Sequence, residues 1–468
     1  LFNMSKDNHE SDLPDIAPTP SHVGEVLDLK DQRYDAVFGD MTEEGPNYRN
    51  VGWLGTAALM MKTQIGLGVL SIPANFDTLG LIPGVILLCT VGAITTWSNY
   101  IVGEFKVKHR HVYGIDDVGE MLFGRIGREV FGIAFCLFFT FVSGSAMLSI
   151  SICLNALSNH AICTAIFVAI AAIITFTFSS IQTLGKISWL AWVGAICVLI
   201  AVFTITIAVG VEGRPSLAPK TGTWESDYKL FNNPDFADAV SAITSMVFAY
   251  SGTPAFFNIA SEMRDPRQYN KALIVCQTVV TITYIVVGVV VYYYAGSYVA
   301  SPAIGTAGPV LKKIGYGIAP PGLLASAILL THVPSKYIFV RILRGSTHLT
   351  KNTLVHWVAW LGSTLSVSIV AYLIASGIPV FDSLVSLIGA MLGTFLSFHP
   401  MACMWLYDNW RKGKSSQTYK WRMMVCWCVF VLVSGTFLVI SGTYGSIVGI
   451  INSYQGGGSW SCADNSNS

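Results

Sequence analysis

Eleven runs of about 20 apolar residues follow one another along this 468-residue chain. An α-helix of about 20 residues is long enough to cross the hydrocarbon core of a bilayer, which is roughly 30 Å thick. The chain is therefore predicted to be an all-α polytopic membrane protein, with the lipid bilayer as its first partner. The predicted helices 1 to 11 cover residues 53–79, 81–105, 129–157, 162–180, 187–211, 237–261, 272–295, 318–344, 354–375, 380–407 and 422–452.

The composition agrees with a membrane protein and not with a soluble one. Hydrophobic residues make up 53% of the chain, charged residues only 12%, and the mean hydropathy is +0.56. Soluble domains carry about 25% charged residues. The net charge of +1 comes without a basic stripe, so nucleic acid is not a predicted partner.

Lys and Arg residues concentrate in one of the two alternating sets of loops, which predicts that this set is cytoplasmic. With eleven crossings, the N-terminus then lies inside and the C-terminus outside. Residues 1–50 hold eleven acidic and four basic residues and no apolar signal segment, so a disordered cytoplasmic tail is predicted. The transmembrane domain is predicted over 51–454 and an extracytoplasmic tail over 455–468. The cytoplasmic loops contain Lys106, Lys108, Arg110, Arg125, Arg128, Lys186, Arg264, Arg267, Lys271, Arg341, Arg344, Lys351, Arg411, Lys412, Lys414, Lys420 and Arg422.

Two of the apolar runs contain helix-breaking residues. Helix 1 is interrupted at residues 62–68 (KTQIGLG) and helix 6 at residues 249–254 (AYSGTP). Hydrocarbon tolerates unwound backbone only where it lines a cavity, and broken helices at matching positions of two halves indicate a binding site. The halves are predicted over 51–211 and 237–407, with helix 11 outside the pairing.

The residues of the breaks suit a zwitterionic ligand. Gly66 and Gly68 allow the backbone to unwind, so that free N–H groups can bind a carboxylate and free carbonyls an ammonium. The alternatives are close helix packing at the two glycines and a simple kink at Pro254. Phe248 and Tyr250 indicate a pocket for an apolar or aromatic side chain, although core packing is the other interpretation.

In helix 3, Gly144, Met147 and Leu148 share one helical face, which is predicted to border the same pocket. The predicted substrate-binding residues are Thr63, Ile65, Gly66, Leu67, Gly68, Met147, Phe248, Tyr250, Ser251 and Gly252.

Four short segments, in this order along the chain, resemble the amino acid/auxin permease family. They are residues 62–73 (KTQIGLGVLSIP), 117–124 (DVGEMLFG), 248–252 (FAYSG) and 307–309 (AGP). The resemblance extends from about 51 to 454, lies within the amino acid-polyamine-organocation superfamily and is greatest to fungal neutral amino-acid permeases. It implies a LeuT-type fold of two inverted five-helix repeats with discontinuous helices 1 and 6. It also implies secondary active transport of amino acids by alternating access, commonly driven by protons.

Lys62 is the main candidate for coupling, because an ammonium in mid-membrane is expected to face the protein interior. In sodium-coupled relatives, helices 1 and 8 form a cation site at this level, so the resemblance implies that Lys62 replaces sodium and favours proton coupling or no ion coupling. The alternative is a permanently charged structural cation. Thr331 and His332 are predicted to face Lys62. Glu262 is predicted to pair with Lys336 or with a loop arginine as an inner gate, or it is a solvated helix end.

Most of the ten cysteines are single residues within apolar helices, where a small buried hydrophobic role is expected. Cys163 and Cys462 are different because both are predicted on the outer side, where thiols within reach of each other oxidise. We therefore hypothesise a disulfide between them.

Catalytic and cofactor motifs are absent from the sequence: it has no HExxH zinc motif, no CxxC pair and no phosphate-binding loop. The chain is therefore predicted not to be an enzyme and to need no cofactor or metal. The predicted function is that of a proton symporter for neutral, bulky or aromatic amino acids in the plasma membrane. The alternatives are a vacuolar exporter and an amino-acid sensor of the same fold. No oligomeric state is predicted.

Overall fold

A computed structural model describes most of the chain from residue 51 onward. The described residues are 51–66, 68–181, 184–212, 214–215, 217–219, 221, 224–343, 346–349, 353–378, 380–416, 418–453, 460 and 462–465. In the N-terminal segment it describes only a short antiparallel pair, β1 (Tyr34–Asp35) with β2 (Gly39–Asp40). The predicted disorder of the rest of 1–50 lies outside the described residues.

From residue 51 onward the chain is helical, as the apolar runs predict. We number the helices α1 to α11 after the predicted helices they match, and divide the interrupted ones into a and b. They are α1a (Trp53–Gln64), α1b (Ile72–Leu79), α2 (Leu81–Lys108), α3 (Ile115–Ser158), α4 (Thr164–Ser179), α5 (Leu184–Glu212), α6a (Phe236–Tyr250), α6b (Thr253–Ser261), α7 (Tyr269–Ala295), α8 (Pro309–Leu343), α9 (Leu354–Gly377), α10a (Phe381–Ile388), α10b (Thr394–Ser416) and α11 (Tyr419–Ser453). Short 3-10 turns cover Gly68–Leu70, Pro266–Gln268, Gly296–Tyr298, Ala303–Thr306 and Thr347–Leu349, and a π-helical turn, Gly389–Gly393, joins α10a to α10b.

Among the described residues, eight helices are long and apolar enough to cross a membrane, and the bent α1 pair raises this to nine. The two remaining predicted spans are also helical: α4 is short, with 16 residues, and α6 is divided into two short halves. The boundaries differ most at α3, which begins at Ile115 and not at 129. The segment before 129 is itself helical and joins the span through a kink at Gly124, where φ is +68°.

Helices α1 and α6 are both discontinuous, and each break follows from its residues. The halves of α1 meet at 45°, with the Gly68–Leu70 turn between them. Helix α6a ends at Tyr250, and α6b begins with Pro254 in its first turn, where its missing N–H is tolerated. A Cβ atom on Gly68 would lie only 2.5 Å from the Cα of Ala249, so the two breaks are in direct contact.

The helices differ strongly in their burial. In α3, 78% of the most apolar 18-residue stretch is buried, whereas in α11 the corresponding stretch is only 17% buried. Helix α3 packs along α8, α8 packs along α5, and α7 packs against α1a. Helix α3 therefore lies at the centre of the bundle beside the breaks, whereas α11 lies at its edge.

The C-terminal tail is attached to the helix ends that were predicted to be extracytoplasmic. A disulfide bond joins Cys462 to Cys163 at the start of α4. The side-chain oxygen of Asn465 accepts a hydrogen bond from the amide of Asn155 on α3 at 2.7 Å, and the backbone N–H of Trp460 donates to the carbonyl of Ser376 on α9 at 3.0 Å. The described part of the tail thus connects α3, α4 and α9.

Candidate functional site

A small cavity lies where the two breaks meet. The space open to the centre of a water-sized sphere is about 20 Å³, enough for about one water molecule. In this conformation the cavity is therefore smaller than an amino acid. Its lining combines three phenylalanines with polar groups of α1 and α6: Lys62, Thr63, Gln64, Gly66, Gly68, Phe138, Phe139, Val142, Phe248, Ser251, Gly252, Ser326 and Leu330.

Lys62 connects α1a to α8 at one side of the cavity. Its Nζ donates hydrogen bonds to the Oγ of Ser326 at 2.7 Å and to the carbonyl oxygen of Gly322 at 3.1 Å. The side chain is 5% exposed, and the salt bridges among the described residues include none to it. A buried ammonium held only by neutral oxygens is costly, which is typical of functional cations in membrane proteins.

Glycines make room for this lysine. A Cβ atom on Gly194 of α5 would lie 3.0 Å from the Cε of Lys62 and 2.6 Å from the Cβ of Ala325. A Cβ atom on Gly322 would lie 2.8 Å from the carbonyl oxygen of Gly194. The close approach of α5 and α8 at the two glycines therefore forms the slot that contains the lysine side chain.

Tyr284 of α7 connects the two breaks. Its hydroxyl lies 2.9 Å from the carbonyl oxygen of Gln64 in α1 and 2.8 Å from that of Ala249 in α6. A carbonyl freed by unwinding must find another donor when it is buried. The single proton of this hydroxyl can be donated to either carbonyl or shared between them, so Tyr284 links the two breaks.

Helices α1b and α6a are joined by a chain of buried hydrogen bonds. The Nδ2 of Asn75 donates to the Oγ of Ser245 at 3.1 Å, and Ser245 donates to the Oγ of Ser71 at 3.1 Å. Ser71 in turn donates to the carbonyl oxygen of Gly68 at 3.0 Å. Helices α1b and α6a are therefore tied together from the break outward.

Six of the predicted substrate-binding residues line the cavity: Thr63, Gly66, Gly68, Phe248, Ser251 and Gly252. Ile65 and Tyr250 do not. Ile65 is buried as the C-cap of α1a, and the ring of Tyr250 lies against Tyr284, with its hydroxyl donating to Thr281 at 3.2 Å. Leu67 lies outside the described residues.

Met147 is also buried away from the cavity. Its helical face includes Gly144, and a Cβ atom there would lie 2.9 Å from the carbonyl oxygen of Ala371 in α9. This face of α3 therefore packs on α9. The residues of α3 that line the cavity are nearer its N-terminus: Phe138, Phe139 and Val142.

The predicted coupling residues of α8 do not hold Lys62. The hydroxyl of Thr331 lies 2.5 Å from that of Ser143 on α3, and the Nδ1 of His332 lies 3.3 Å from the carbonyl oxygen of Ser179. Ser326, which was not predicted, provides the contact because it is one turn after Gly322 on the face of α8 that meets α1a.

Glu262 and Lys336 lie together at the other end of the bundle from the C-terminal tail. The Nζ of Lys336 is 3.8 Å from the Oε1 of Glu262, and their side chains are 20% and 16% exposed. This ion pair joins the end of α6b to α8. No group of three or more possible metal ligands occurs in the part of the chain that the structure describes.

Several lining residues were not predicted from the sequence. Gln64 carried a usable signal, because it is a polar side chain within the first break. Phe138, Phe139 and Leu330 carried none, since apolar residues of a membrane helix look alike whether they face lipid, a neighbouring helix or a cavity.

The sequence is similar to a family of known transporters. The model of the family described as "Transmembrane amino acid transporter protein" matches residues 49–448. A transmembrane transporter of Gibberella moniliformis is 32% identical over 430 residues, which cover 90% of this chain and 90% of the relative. The N amino acid transport system protein of Neurospora crassa is 29% identical over 467 residues, 97% of each chain.

Solved structures of transporters share the fold. MhsT in complex with L-phenylalanine superposes with a TM-score of 0.53 at 14% identity, over 88% of this chain and 99% of MhsT. Mhp1, a nucleobase-cation-symport-1 family transporter in a closed conformation, gives a TM-score of 0.55 at 12% identity, over 89% and 95% of the two chains. At these identities the likeness concerns the fold alone, which is the predicted LeuT-type fold.

Proposed function

Because the chain belongs to the transmembrane amino acid transporter family, we propose that it transports neutral amino acids with bulky or aromatic side chains, coupled to protons, by alternating access. Membership in this family also means that the chain is a transporter and not an enzyme, in agreement with the sequence. The observation that carries the proposal is the cavity at the two breaks, which is lined by Lys62 and by three phenylalanines.

The lining of the cavity supports the substrate class. Phe138, Phe139 and Phe248 offer apolar surface to a substrate side chain, while Lys62 and the polar residues of α1 and α6 suit the zwitterionic end. Among the lining residues, none is acidic, and a cationic substrate side chain would therefore have no counter-charge. This supports neutral substrates.

The position of Lys62 supports coupling to protons. Its ammonium takes the two oxygens of α8, Ser326 Oγ and Gly322 O, that could otherwise bind a cation from solution. Loss of the proton from this lysine would weaken both hydrogen bonds, because a neutral amine is a poorer donor than an ammonium, and would loosen α1a from α8. Proton exchange at Lys62 is thus linked to the contact between two helices that border the cavity.

The closed cavity supports alternating access. With space for about one water molecule, it must expand to admit an amino acid. The pair of Glu262 and Lys336 would keep the inner end closed, and its separation would let α6b move away from α8.

The plasma membrane is the proposed location, with the N-terminus cytoplasmic. The disulfide of Cys163 and Cys462 supports this orientation, because disulfides persist in oxidising compartments, and both cysteines lie on the side away from most Lys and Arg residues of the loops.

The test is uptake of a panel of radiolabelled amino acids into sodium-free proteoliposomes, with and without an inward proton gradient. We expect saturable uptake of bulky neutral amino acids that the gradient stimulates. If amino acids stabilise the protein against heat but no label accumulates or exchanges under any gradient, the protein is a sensor and the proposal is wrong.

A further inference from the structure

Three backbone carbonyls of the breaks lie close to hydrogen-bond donors of the protein. The carbonyl oxygens of Gln64 and Ala249 lie within hydrogen-bond distance of the hydroxyl of Tyr284. The carbonyl oxygen of Tyr250 accepts from the backbone N–H of Gly252 at 2.8 Å. Free carbonyls were expected to bind the ammonium of a substrate, but the carbonyl of Tyr250 has a backbone donor, and those of Gln64 and Ala249 compete for the single hydroxyl proton of Tyr284.

The side chain of Gln64 offers a further acceptor. Gln64 lines the cavity and is 2% exposed. Its Nε2 lies 3.4 Å from the carbonyl oxygen of Tyr250, which can only accept a hydrogen bond, so this contact orients the amide. The opposite atom, Oε1, is buried and has no hydrogen-bond partner among the described residues.

A buried amide oxygen without a donor is unfavourable, and a ligand that brings a donor would relieve that cost. Lys62, two residues earlier, lines the same cavity and carries a positive charge when it is protonated. These two side chains present an acceptor and a cation, which match the ammonium and the carboxylate of an α-amino acid.

We propose that the side-chain oxygen of Gln64 accepts a hydrogen bond from the α-ammonium group of the substrate. This inference rests on the proposed function, since it concerns the same cavity. In this arrangement Gln64 recognises the primary amine of the substrate, while the phenylalanines contact the substrate side chain.

The experiment compares two variants with a pair of ligands. The ligands are the amino acid that the wild type transports best and the carboxylic acid that lacks only its amino group. Gln64→Met keeps the length of the side chain but removes the acceptor. Gln64→Glu keeps an acceptor and removes the amide donor.

We expect Gln64→Met to raise the KM of the amino acid roughly 10- to 100-fold. The deaminated acid is tested as an inhibitor of amino-acid uptake. The concentration that halves this uptake should change by less than about threefold, because the acid has no ammonium group for Gln64 to bind. In Gln64→Glu the KM should stay within about threefold of the wild type or fall.

A matched control is Gln277→Met in α7. Gln277 is also a buried glutamine without partners for its amide among the described residues, but it does not line the cavity. This variant should transport like the wild type.

Two results would overturn the assignment. One is an unchanged KM for the amino acid in Gln64→Met, and the other is an equal loss of affinity for the amino acid and for the deaminated acid. If Gln64→Met does not fold, a rise of tenfold or more in the KM of Gln64→Glu would overturn it instead. A wild type that transports no amino acid would reject the proposed function itself, so the two failures are distinguishable.

Discussion

The Nζ of Lys62 lies 2.7 Å from the Oγ of Ser326, so a cation on the first broken helix is held by a hydroxyl on α8. The contact crosses the bundle beside the cavity and is buried from solvent. Any change in the charge of Lys62 would therefore alter both the cavity and the packing of α1a on α8.

Replacing Lys62 with Met should abolish the stimulation of uptake by a proton gradient. Methionine keeps most of the side-chain volume but carries no titratable group, so transport that remains should no longer depend on pH. The measurement is the initial rate of uptake at several external pH values. Lys271→Met, at the exposed start of α7, is the control and should behave like the wild type. A wild-type pH dependence in the Lys62→Met protein would reject the coupling role.

Replacing Gly68 with Ala should reduce the maximal uptake rate at least about tenfold, because the new methyl group would lie 2.5 Å from the Cα of Ala249. The two breaks would have to separate, at a cost of roughly 1–3 kcal/mol in stability. Gly362→Ala is the control, since a Cβ atom there meets nothing within 4 Å. Normal kinetics in the Gly68→Ala protein would mean that the breaks need not be in contact during transport.

Removing the charge of Glu262 should favour opening towards the inner side. In Glu262→Gln the ammonium of Lys336 loses a partner 3.8 Å away, and a loss of about 1 kcal/mol would shift the ratio of closed to open states about fivefold. We expect faster efflux from preloaded vesicles and a higher external KM. The double exchange Glu262→Lys with Lys336→Glu should restore the wild-type values at least in part. Two results together would show that the pair is not a gate. The double exchange would fail to restore the wild-type values, and Glu262→Gln would release substrate slowly.

Breaking the disulfide should destabilise the protein. The bond joins residues with a sequence separation of 299 and attaches the tail to α4. Cys462→Ser should therefore lower the free energy of unfolding by roughly 2–4 kcal/mol and lower the melting temperature. Dithiothreitol should destabilise the wild type but not the variant. Cys426→Ser, at an exposed free cysteine, is the control. Labelling of both Cys163 and Cys462 by a thiol reagent in the intact, unreduced protein would disprove the bond.

Asp227, in the loop between α5 and α6, should contribute stability that depends on pH. Partial burial raises the pKa of its carboxyl, but hydrogen bonds from the hydroxyl and the N–H of Ser297, together with the charge of Lys229, more than offset this and lower the pKa. The ionised Asp227 therefore stabilises the fold at pH values above its unfolded-state pKa of about 3.9. This stabilisation is lost as the pH falls below that value through the lower pKa of the folded state. Asp227→Asn should therefore melt at a lower temperature than the wild type at pH 6. The difference should shrink towards pH 3, and a constant difference would contradict the prediction.

The helices and their breaks could be read from the sequence because both depend on local chemistry. An apolar run of about 20 residues has few alternatives to a membrane helix, and Gly66, Gly68 and Pro254 weaken the backbone wherever the helix lies. The LeuT-type fold and the family followed from the order of short motifs around these breaks.

What the sequence could not decide was which apolar and polar side chains meet at the cavity. Met147 and Phe139 are both apolar residues of α3, yet only Phe139 lines the cavity, because the rotation of α3 is determined by its packing on α8 and α9. In the same way, Ser326 and not Thr331 holds Lys62, and the hydroxyl of Tyr284 lies within hydrogen-bond distance of two carbonyls that were expected to bind substrate. The sequence by itself determined the helical membrane fold and the location of the breaks. Only the tertiary structure, through contacts between residues more than 180 positions apart, decided which groups remain for a substrate.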